Sequence, residues 1–397
     1  MKKGMLILVL CVFFLSSCGL TQVVEPAATV TVEPVIIPSA TVAITPTAVL
    51  KIVPTKTPTV KPTPFLFSSL PGWFAYMDFD CNGLCTNLSI IRPDMTDRRV
   101  LTDHERGLVL DILWSPDGRY LLFQFFTLGE TGFVELHLYD LQSNSTKILT
   151  SEPTGDILAI SWSPDSRYFV VGYENTDGQN GTIQQIDVQS GALTNLTGDL
   201  KLQSVYPAWS PDGTKITFSG IDSNGTTHLW LMDAGGANLK ELFADEDYQD
   251  QMPAWAPGGG NAAFYRQDSD GNAGLWVMDA AGENPRLMFD MQENKVFDPP
   301  VWSPNGQYMA LILGKEAKTQ VWIYDVLSGI IHVYADGDGE FKNLSWSPDS
   351  RALIFLEDKD DSSKYIHLYA PGGDDPFSAS GEAFMDFTVW SPVAEIP

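Results

Sequence analysis

The sequence predicts an all-β protein built as a β-propeller, and three observations support this fold. Trp-Ser-Pro or Trp-Ala-Pro recurs seven times, with successive tryptophans 44 to 48 residues apart. Each copy is flanked by short apolar strand patterns, and no clear amphipathic helix pattern separates the copies. A period in the forties is that of one four-stranded blade with its loops. The repeated tryptophans are Trp114, Trp162, Trp209, Trp255, Trp302, Trp346 and Trp390.

Each repeat contains four strand patterns and a tight turn after the tryptophan. In Ser115-Pro116-Asp117-Gly118, proline presets φ, aspartate bonds its own backbone and glycine tolerates the exit geometry. An aromatic strand follows, as in Tyr120-Leu121-Leu122-Phe123. A third strand ends in aspartate, as in Leu229-Trp230-Leu231-Met232-Asp233, and a fourth resembles an edge strand, as in Ile148-Leu149-Thr150. The repeat therefore predicts one blade per copy.

The two ends of the repeat region predict how the ring closes. Residues 73–102 supply three strand patterns with no Trp-Ser-Pro before them, and residues 384–392 supply one strand that ends in Trp390-Ser391-Pro392. Pairing the last strand with the first three would complete a blade and leave no unpaired edge. We therefore predict seven blades, one composite and six whole, with six and eight as the alternatives. The last outer strand is expected near residues 376–380.

The Trp-Ser-Pro-Asp-Gly turn, followed by an aromatic strand and Leu-Trp-x-Met-Asp-Ala-x-Gly, resembles the TolB-type, WD-like propeller repeat. The same repeat occurs in the propellers of prolyl-oligopeptidase relatives. The resemblance covers about residues 70–392 and implies a TolB-like propeller over 67–397. It also implies partner binding, although the shared residues are turn and packing residues. The propeller of TolB itself has six blades, so a count of seven is a departure from the family pattern.

The N-terminus predicts export and a lipid anchor. Lys2 and Lys3 precede an apolar run from Met5 to Leu15, which is typical of a secretory signal and too short to span a bilayer. Leu15-Ser16-Ser17-Cys18 resembles the bacterial lipobox, which implies a lipoprotein signal peptide over 1–17 and acylation of Cys18, for example with palmitate. The expected location is the extracytoplasmic face of a cell membrane, at the cell surface or in the periplasm. The alternative is an ordinary secretory signal with an incidental cysteine.

Residues 18–66 carry the predicted lipidated cysteine and then a segment dominated by threonine, proline, valine and alanine. Proline removes hydrogen-bond donors and fixes φ, and the segment has neither helical nor strand periodicity. We therefore expect a disordered, extended linker of about 3 Å per residue that spaces the propeller from the membrane.

Net charge and cysteine content limit the classes of partner that the chain is expected to bind. The chain carries 24 basic and 50 acidic residues, a net charge of −26, which repels phosphate backbones and argues against nucleic-acid binding. Cys81 and Cys85 lie four residues apart, and in an oxidising compartment they are expected to form a disulfide. A zinc site is disfavoured because no histidine stands beside them. The expected partners are the membrane, through the anchor, and a protein, peptide or glycan, with the chain itself a monomer.

No catalytic constellation is visible in the sequence. The five histidines are expected to lie tens of Å apart in different blades, which disfavours a shared metal; they are His104, His137, His228, His332 and His367. No Gly-x-Ser-x-Gly elbow is present, and no hydrolase domain follows the propeller. Asp268-Ser269-Asp270-Gly271-Asn272 resembles part of a calcium loop but lacks the distal acid, so Asp268 and Asp270 are calcium candidates with a simple turn as the alternative. No other cofactor is expected.

The sequence is compatible with two functions. The first is a membrane-anchored, non-catalytic propeller that binds a protein, peptide or glycan. The second is an extracellular hydrolase or lyase acting on carbohydrate, with acidic residues at the mouth of the propeller channel. We favour the first, because no acid, base or metal set can be identified from spacing.

Overall fold

The computed structural model forms a closed ring of seven β-sheets, which confirms the predicted seven-bladed propeller and excludes the alternatives of six and eight. The structure describes residues 29–31, 53–55, 70–78, 85–104, 107–128, 134–150, 156–174, 181–198, 200–292, 294–315, 318–334, 339–359, 364–371, 377–379 and 386–397. Among these residues no helix is long and apolar enough to cross a membrane. The predicted signal peptide and Cys18 lie outside them.

Each blade is an antiparallel sheet whose first strand is innermost. From the inner to the outer strand, blade 1 consists of Asp386–Trp390, Phe74–Asp78, Asn87–Ile91 and Arg99–Val100. Blade 2 consists of Leu108–Trp114, Tyr120–Phe126, Val134–Asp140 and Ser145–Thr150. Blade 3 consists of Asp156–Trp162, Tyr168–Glu174, Gly181–Asp187 and Leu193–Asn195. Blade 4 consists of Gln203–Trp209, Lys215–Ile221, Thr227–Asp233 and Lys240–Leu242. Blade 5 consists of Tyr248–Trp255, Asn261–Asp268, Ala273–Asp279 and Arg286–Gln292. Blade 6 has a divided inner strand, Lys295–Val296 and Val301–Trp302, followed by Tyr308–Lys315, Lys318–Asp325 and Ile331–Tyr334; blade 7 is Glu340–Trp346, Leu353–Asp358, Lys364–Tyr369 and Phe377–Ala379.

Two short pieces of the Thr/Pro-rich segment also pair with the propeller. Thr29–Thr31 pairs with Ile331–Tyr334 at the outer edge of blade 6, and Val53–Thr55 pairs with Thr29–Thr31. Pro54 lies in the outermost of these strands, where a missing donor is tolerated. The outer edge of blade 6 offers unpaired backbone groups, to which these short pieces of the linker can bond. The rest of the segment lies outside the described residues.

The hydrophobic core is divided among the interfaces between blades. Seven clusters of buried apolar side chains each join residues of two neighbouring blades. In one of them, Leu138 of blade 2 packs with Phe169 and Val171 of blade 3. A single blade cannot bury both of its faces, so each blade depends on its two neighbours. At about 25 cal/mol per Å² of apolar surface, these interfaces are the main source of stability.

In four of the blades the signature tryptophan donates a hydrogen bond to the preceding blade. The indole Nε1 of Trp302 donates to the Ala254 carbonyl at 3.1 Å, and that of Trp346 donates to the Val301 carbonyl at 3.1 Å. The serine that follows closes the turn. Ser115 Oγ accepts the Tyr120 N–H at 2.8 Å and donates to Asp117 at 2.6 Å. Ser163, Ser210, Ser303 and Ser347 make the equivalent bonds in their own turns.

The ring closes in blade 1, where the two ends of the domain meet as predicted. Phe74 pairs with Trp390, and their rings lie 4.8 Å apart edge to face. Trp73 and Ser391 exchange backbone and side-chain hydrogen bonds, with Trp73 N donating to Ser391 Oγ at 2.9 Å and Ser391 N donating to the Trp73 carbonyl at 2.8 Å. This last copy of the signature therefore bonds to the start of the domain, across a separation of 318 residues.

We expect Gly118→Ala to destabilise the protein more than Gly213→Ala, because only the first change disturbs ring closure. The two glycines occupy the same turn position with φ of 71° and 74°. A Cβ on Gly118 would lie 2.2 Å from Val393 Cγ2, whereas one on Gly213 would lie 3.4 Å from the nearest atom, in Pro164. Overpacking of this kind costs about 1–3 kcal/mol, measurable by urea unfolding. Adding Val393→Ala should remove the difference, and equal losses in both single variants would contradict this account.

Candidate functional site

The inner strands bulge where they line the axis of the ring. Pairing with the second strand shifts register at Val205/Ala208, Gln251/Ala254 and Lys342/Ser345. At these points Tyr206, Met252 and Asn343 adopt φ of 50°, 54° and 60°. This region costs non-glycine residues of order 1 kcal/mol or more, so the packed ring must impose it. A bulge of this type redirects side chains, here at the channel.

In blade 6 the inner strand is interrupted altogether. Asp298 and the two following prolines lie between Lys295–Val296 and Val301–Trp302. Proline has no N–H to donate, so the ladder cannot continue through residues 299 and 300. The chain leaves the sheet at this point, and both Phe297 and Asp298 are exposed.

A cavity of about 270 Å³ opens at these bulges. Its walls come from the inner strands of blades 3 to 6 and are mostly apolar; they consist of Ala159, Ile160, Ser161, Tyr206, Pro207, Ala208, Trp209, Pro211, Pro253, Ala254, Trp255 and Pro299. A second cavity, of about 430 Å³, lies between the signature turns of blades 3 and 4. There the carboxylates of Asp165 and Asp212 already accept hydrogen bonds from Ser163 and Ser210 at 2.6 Å. The smaller cavity is therefore the better candidate site.

Three exposed carboxylates lie on the inner strands or in their interruption: Asp111 of blade 2, Asp298 in the break of blade 6, next to the cavity-lining Pro299, and Glu340 of blade 7. Water reaches Asp111, but protein encloses it on the sides of the channel. This enclosure, with the negative charge of Asp298, raises the pKa of Asp111 to about 6, against the effect of the Ile112 N–H that it accepts at 2.9 Å. Desolvation and the charge of Glu340 likewise raise the pKa of Asp298.

Two tyrosines face the same charge. Burial raises the pKa of the Tyr206 hydroxyl, and the negative charge of Asp298 raises it further. The same two causes raise the pKa of Tyr265, which is 2% exposed. The Tyr265 hydroxyl has no hydrogen-bond partner among the described residues, which is uncommon for a buried polar atom. Both tyrosines belong to the apolar cluster between blades 5 and 6.

Two other charged residues of the inner strands, Asp250 and Lys342, are already paired. Asp250 accepts two hydrogen bonds of 2.7 Å from Arg266, and both residues are buried. Burial raises the pKa of Asp250 while the Arg266 guanidinium opposes that change. Lys342 donates to Asp358 at 2.9 Å. By contrast, none of the three exposed carboxylates forms an ion pair with any residue that the structure describes.

Six of the seven signature tryptophans are buried, and two of them, Trp209 and Trp255, also line the smaller cavity; their purely structural role stays a prediction. Cys85 is disulfide-bonded; Cys81 lies outside the described residues, so their pairing stays a prediction.

Asp268 and Asp270 lie at the hairpin between the second and third strands of blade 5. Asp268 uses both carboxylate oxygens within that turn, accepting from the Asp270 N–H and from Asn272. Calcium binding there remains a prediction. In the described part of the chain, no group of three or more His, Cys, Asp or Glu side chains is placed to hold a metal ion.

The prediction that the histidines lie tens of Å apart is wrong for one pair. The rings of His104 and His137 are 6.1 Å apart. The loop that carries His104 stacks it on Phe125 of blade 2, with ring centroids 4.1 Å apart, and Phe125 lies beside His137. Burial lowers the pKa of His104 to about 4, and His137 Nε2 lies 2.7 Å from Glu135.

The sequence predicts acids at the channel mouth for the enzyme alternative but does not identify them. A signal was present, because Asp111 and Asp298 interrupt apolar strands three and four residues before a signature tryptophan. A second signal is the proline two residues before the tryptophan in blades 4, 5 and 6: Pro207, Pro253 and Pro300. Neither feature belongs to the shared repeat.

Comparison with known proteins agrees with this fold. The family model described as the TolB beta propeller domain matches residues 74–273. TolB from Acinetobacter baumannii is 20% identical over 68% of this chain and 64% of that chain, with a TM-score of 0.48. An oligogalacturonate lyase in complex with manganese is 15% identical over 73% of this chain and 84% of that chain, with a TM-score of 0.59. A prolyl endopeptidase is 15% identical over 79% of this chain and only 50% of its own, with a TM-score of 0.58. A search of curated protein sequences gave no match.

We expect Asp298→Asn and Asp250→Asn to change stability in opposite directions. Asp298 has a folded-state pKa above its unfolded value, so its ionisation above that pKa disfavours the folded state. Removing the charge should raise the Tm by about 1–3 °C at pH 7.5, and the gain should shrink as the pH falls towards 5. Asp250→Asn leaves Arg266 buried without its counter-charge and should cost about 3–5 kcal/mol. Thermal unfolding at both pH values measures this, and a Tm change of the same sign in both variants would refute the assignment.

Proposed function

Since the chain belongs to the TolB β-propeller family, we propose that it is a lipid-anchored, extracytoplasmic scaffold that binds a protein, peptide or glycan without catalysis. The partner would bind at the axial channel. The observation that supports this proposal is the combination of a preformed apolar cavity with three carboxylates that form no ion pair among the described residues. Elsewhere in the inner strands, described charges such as Asp250 are used within the protein.

The construction of the channel suits binding. Its walls are inner strands, which are held by the clusters between blades and by the tryptophan hydrogen bonds. Prolines at positions 207, 253 and 299 further restrict the backbone around the cavity. A rigid, preformed site loses little conformational entropy on binding, so it can bind a small part of a partner tightly.

A second candidate function, an enzyme acting on carbohydrate, is favoured by one observation. The pKa of Asp111, about 6, is near the value that suits a general acid or base at neutral pH. Three carboxylates at the channel, in a chain with a net charge of −26, would however repel an anionic substrate such as a polyuronate. The enzyme candidate is therefore best framed as a hydrolase of neutral glycans.

The proposed lipid anchor rests on the lipobox resemblance at Cys18, and the chain enters the propeller at blade 1. Trp390 Nε1 donates to the Pro71 carbonyl at 2.8 Å, and Gly72 N donates to the Ala394 carbonyl at 3.1 Å. The chain therefore enters beside a signature turn. The starts of the inner strands, including Glu340, lie at the opposite end of the channel.

Cys18→Ser should release the protein from the membrane fraction, because the thiol would be the only acceptor for the lipid. The measurement is the distribution between membrane and soluble fractions after expression of the full chain in a bacterium, with metabolic labelling by a palmitate analogue. Cys11→Ser is the matched control and should stay in the membrane fraction with its label. If Cys18→Ser still fractionated with membranes and still carried label, the anchor assignment would be wrong.

A photo-crosslinking residue at Phe297 should capture a partner that the same residue at Leu327 does not. Both positions are exposed in blade 6, at 41% and 87%, but Phe297 lies beside Asp298 while Leu327 lies in the turn after the third strand. Crosslinking in intact cells, followed by mass spectrometry, should give a discrete adduct from position 297 alone. Identical adducts from both positions, or no adduct, would argue against the channel as the binding site. Turnover of neutral glycosides by the purified protein, abolished by Asp111→Asn, would favour the enzyme instead.

A further inference from the structure

The channel contains a local excess of negative charge. Asp111, Asp298 and Glu340 come from three different blades, and they are close enough for the charge of Asp298 to act on Asp111 and that of Glu340 to act on Asp298. The lysines of the inner strands do not neutralise this excess of negative charge. Lys342 is bonded to Asp358, and Lys295 lies at the exposed start of its strand. An arrangement of uncompensated like charges is unfavourable in the free protein.

The walls beside these charges have a different chemistry. Pro207, Pro253 and Pro299 supply apolar surface, and Tyr206 supplies an aromatic ring partly exposed at the cavity. A long side chain with a cationic end matches both parts, because its methylene groups bury along apolar surface while its charge meets a carboxylate. The face of a tyrosine ring attracts a cation as well.

A second and independent observation is the Tyr265 hydroxyl. It is buried, it has no hydrogen-bond partner among the described residues, and it faces the charge of Asp298. Buried polar atoms are almost always hydrogen-bonded, so an unpartnered hydroxyl beside an uncompensated carboxylate is a group that a molecule bound there can satisfy. The hydroxyl can accept from a cationic N–H and donate to Asp298 at the same time.

We infer that the axial channel binds the ammonium or guanidinium group of a lysine or arginine side chain on a partner polypeptide, with Asp298 and Asp111 as its counter-ions. This inference rests on the proposed function, since it specifies the chemistry of the same site. A bare metal ion fits less well, because the three carboxylates are not placed to coordinate one ion. A cationic side chain needs no such convergence, since it can contact one carboxylate directly and gain from the others at longer range.

The test is binding of synthetic pentapeptides to the full-length protein purified in detergent. The peptides are acetylated and amidated, with lysine, arginine, glutamine, leucine or glutamate at the centre and mixtures at the other four positions. The lysine and arginine pools should bind at least about tenfold more tightly than the other three. Asp111→Asn with Asp298→Asn should abolish that preference. Lowering the pH from 7.5 to 5 should weaken it, because protonation of Asp111 removes a counter-charge.

A matched control separates the channel from the overall charge. Glu246→Gln with Glu283→Gln removes two charges at exposed loop positions, and it should leave the preference intact. Thermal unfolding checks that both double variants fold. Equal loss of preference in the control pair would mean that net charge alone attracts the peptides, and the inference would be wrong. Absence of any preference for a central lysine or arginine would also overturn it, while a partner crosslinked at position 297 would still support the scaffold.

Discussion

The fold depends on burying both faces of every blade at once. Each four-stranded sheet presents apolar side chains on both sides, and only a neighbouring blade covers them. In an open row the first and last blades would each leave one face in water. Blade 1 solves this by taking its inner strand, Asp386–Trp390, from the end of the chain. The cluster of Phe74, Ile354, Leu368 and Trp390 then covers the last interface. Closure is therefore an energetic requirement of the repeat.

The fold could be read from the sequence because every blade solves the same problem with the same residues. In four copies the tryptophan bonds to the preceding blade, and the serine and aspartate close the turn, so the signature recurs at the spacing of the blades. The composite blade was predictable for the same reason, since the two ends complete one another. Thr29–Thr31 was not predictable, because its pairing with an outer edge strand depends on an open edge and leaves no side-chain pattern in the sequence.

The candidate site could not be located in this way, because it consists of the departures from the repeat. Asp111 and Glu340 are separated by more than two hundred residues and share a channel only because seven sheets are arranged around one axis. The closeness of His104 and His137 was missed for a related reason. It depends on how a connecting loop packs against Phe125, and loop packing has no periodic signal.

Several features of the channel are energetically unfavourable, and they lie together around the axis of the ring. Tyr206, Met252 and Asn343 have left-handed backbone conformations, blade 6 gives up part of its ladder at Pro299 and Pro300, and like charges are held near one another. The ring can support these costs because its stability comes from the interfaces between blades, away from the axis. In most of the signature turns, by contrast, the serine and aspartate side chains are hydrogen-bonded to each other. The hydrogen-bonded serines and aspartates of the turns contrast with the three carboxylates along the channel that form no ion pair among the described residues, and this contrast supports the channel as the proposed binding site.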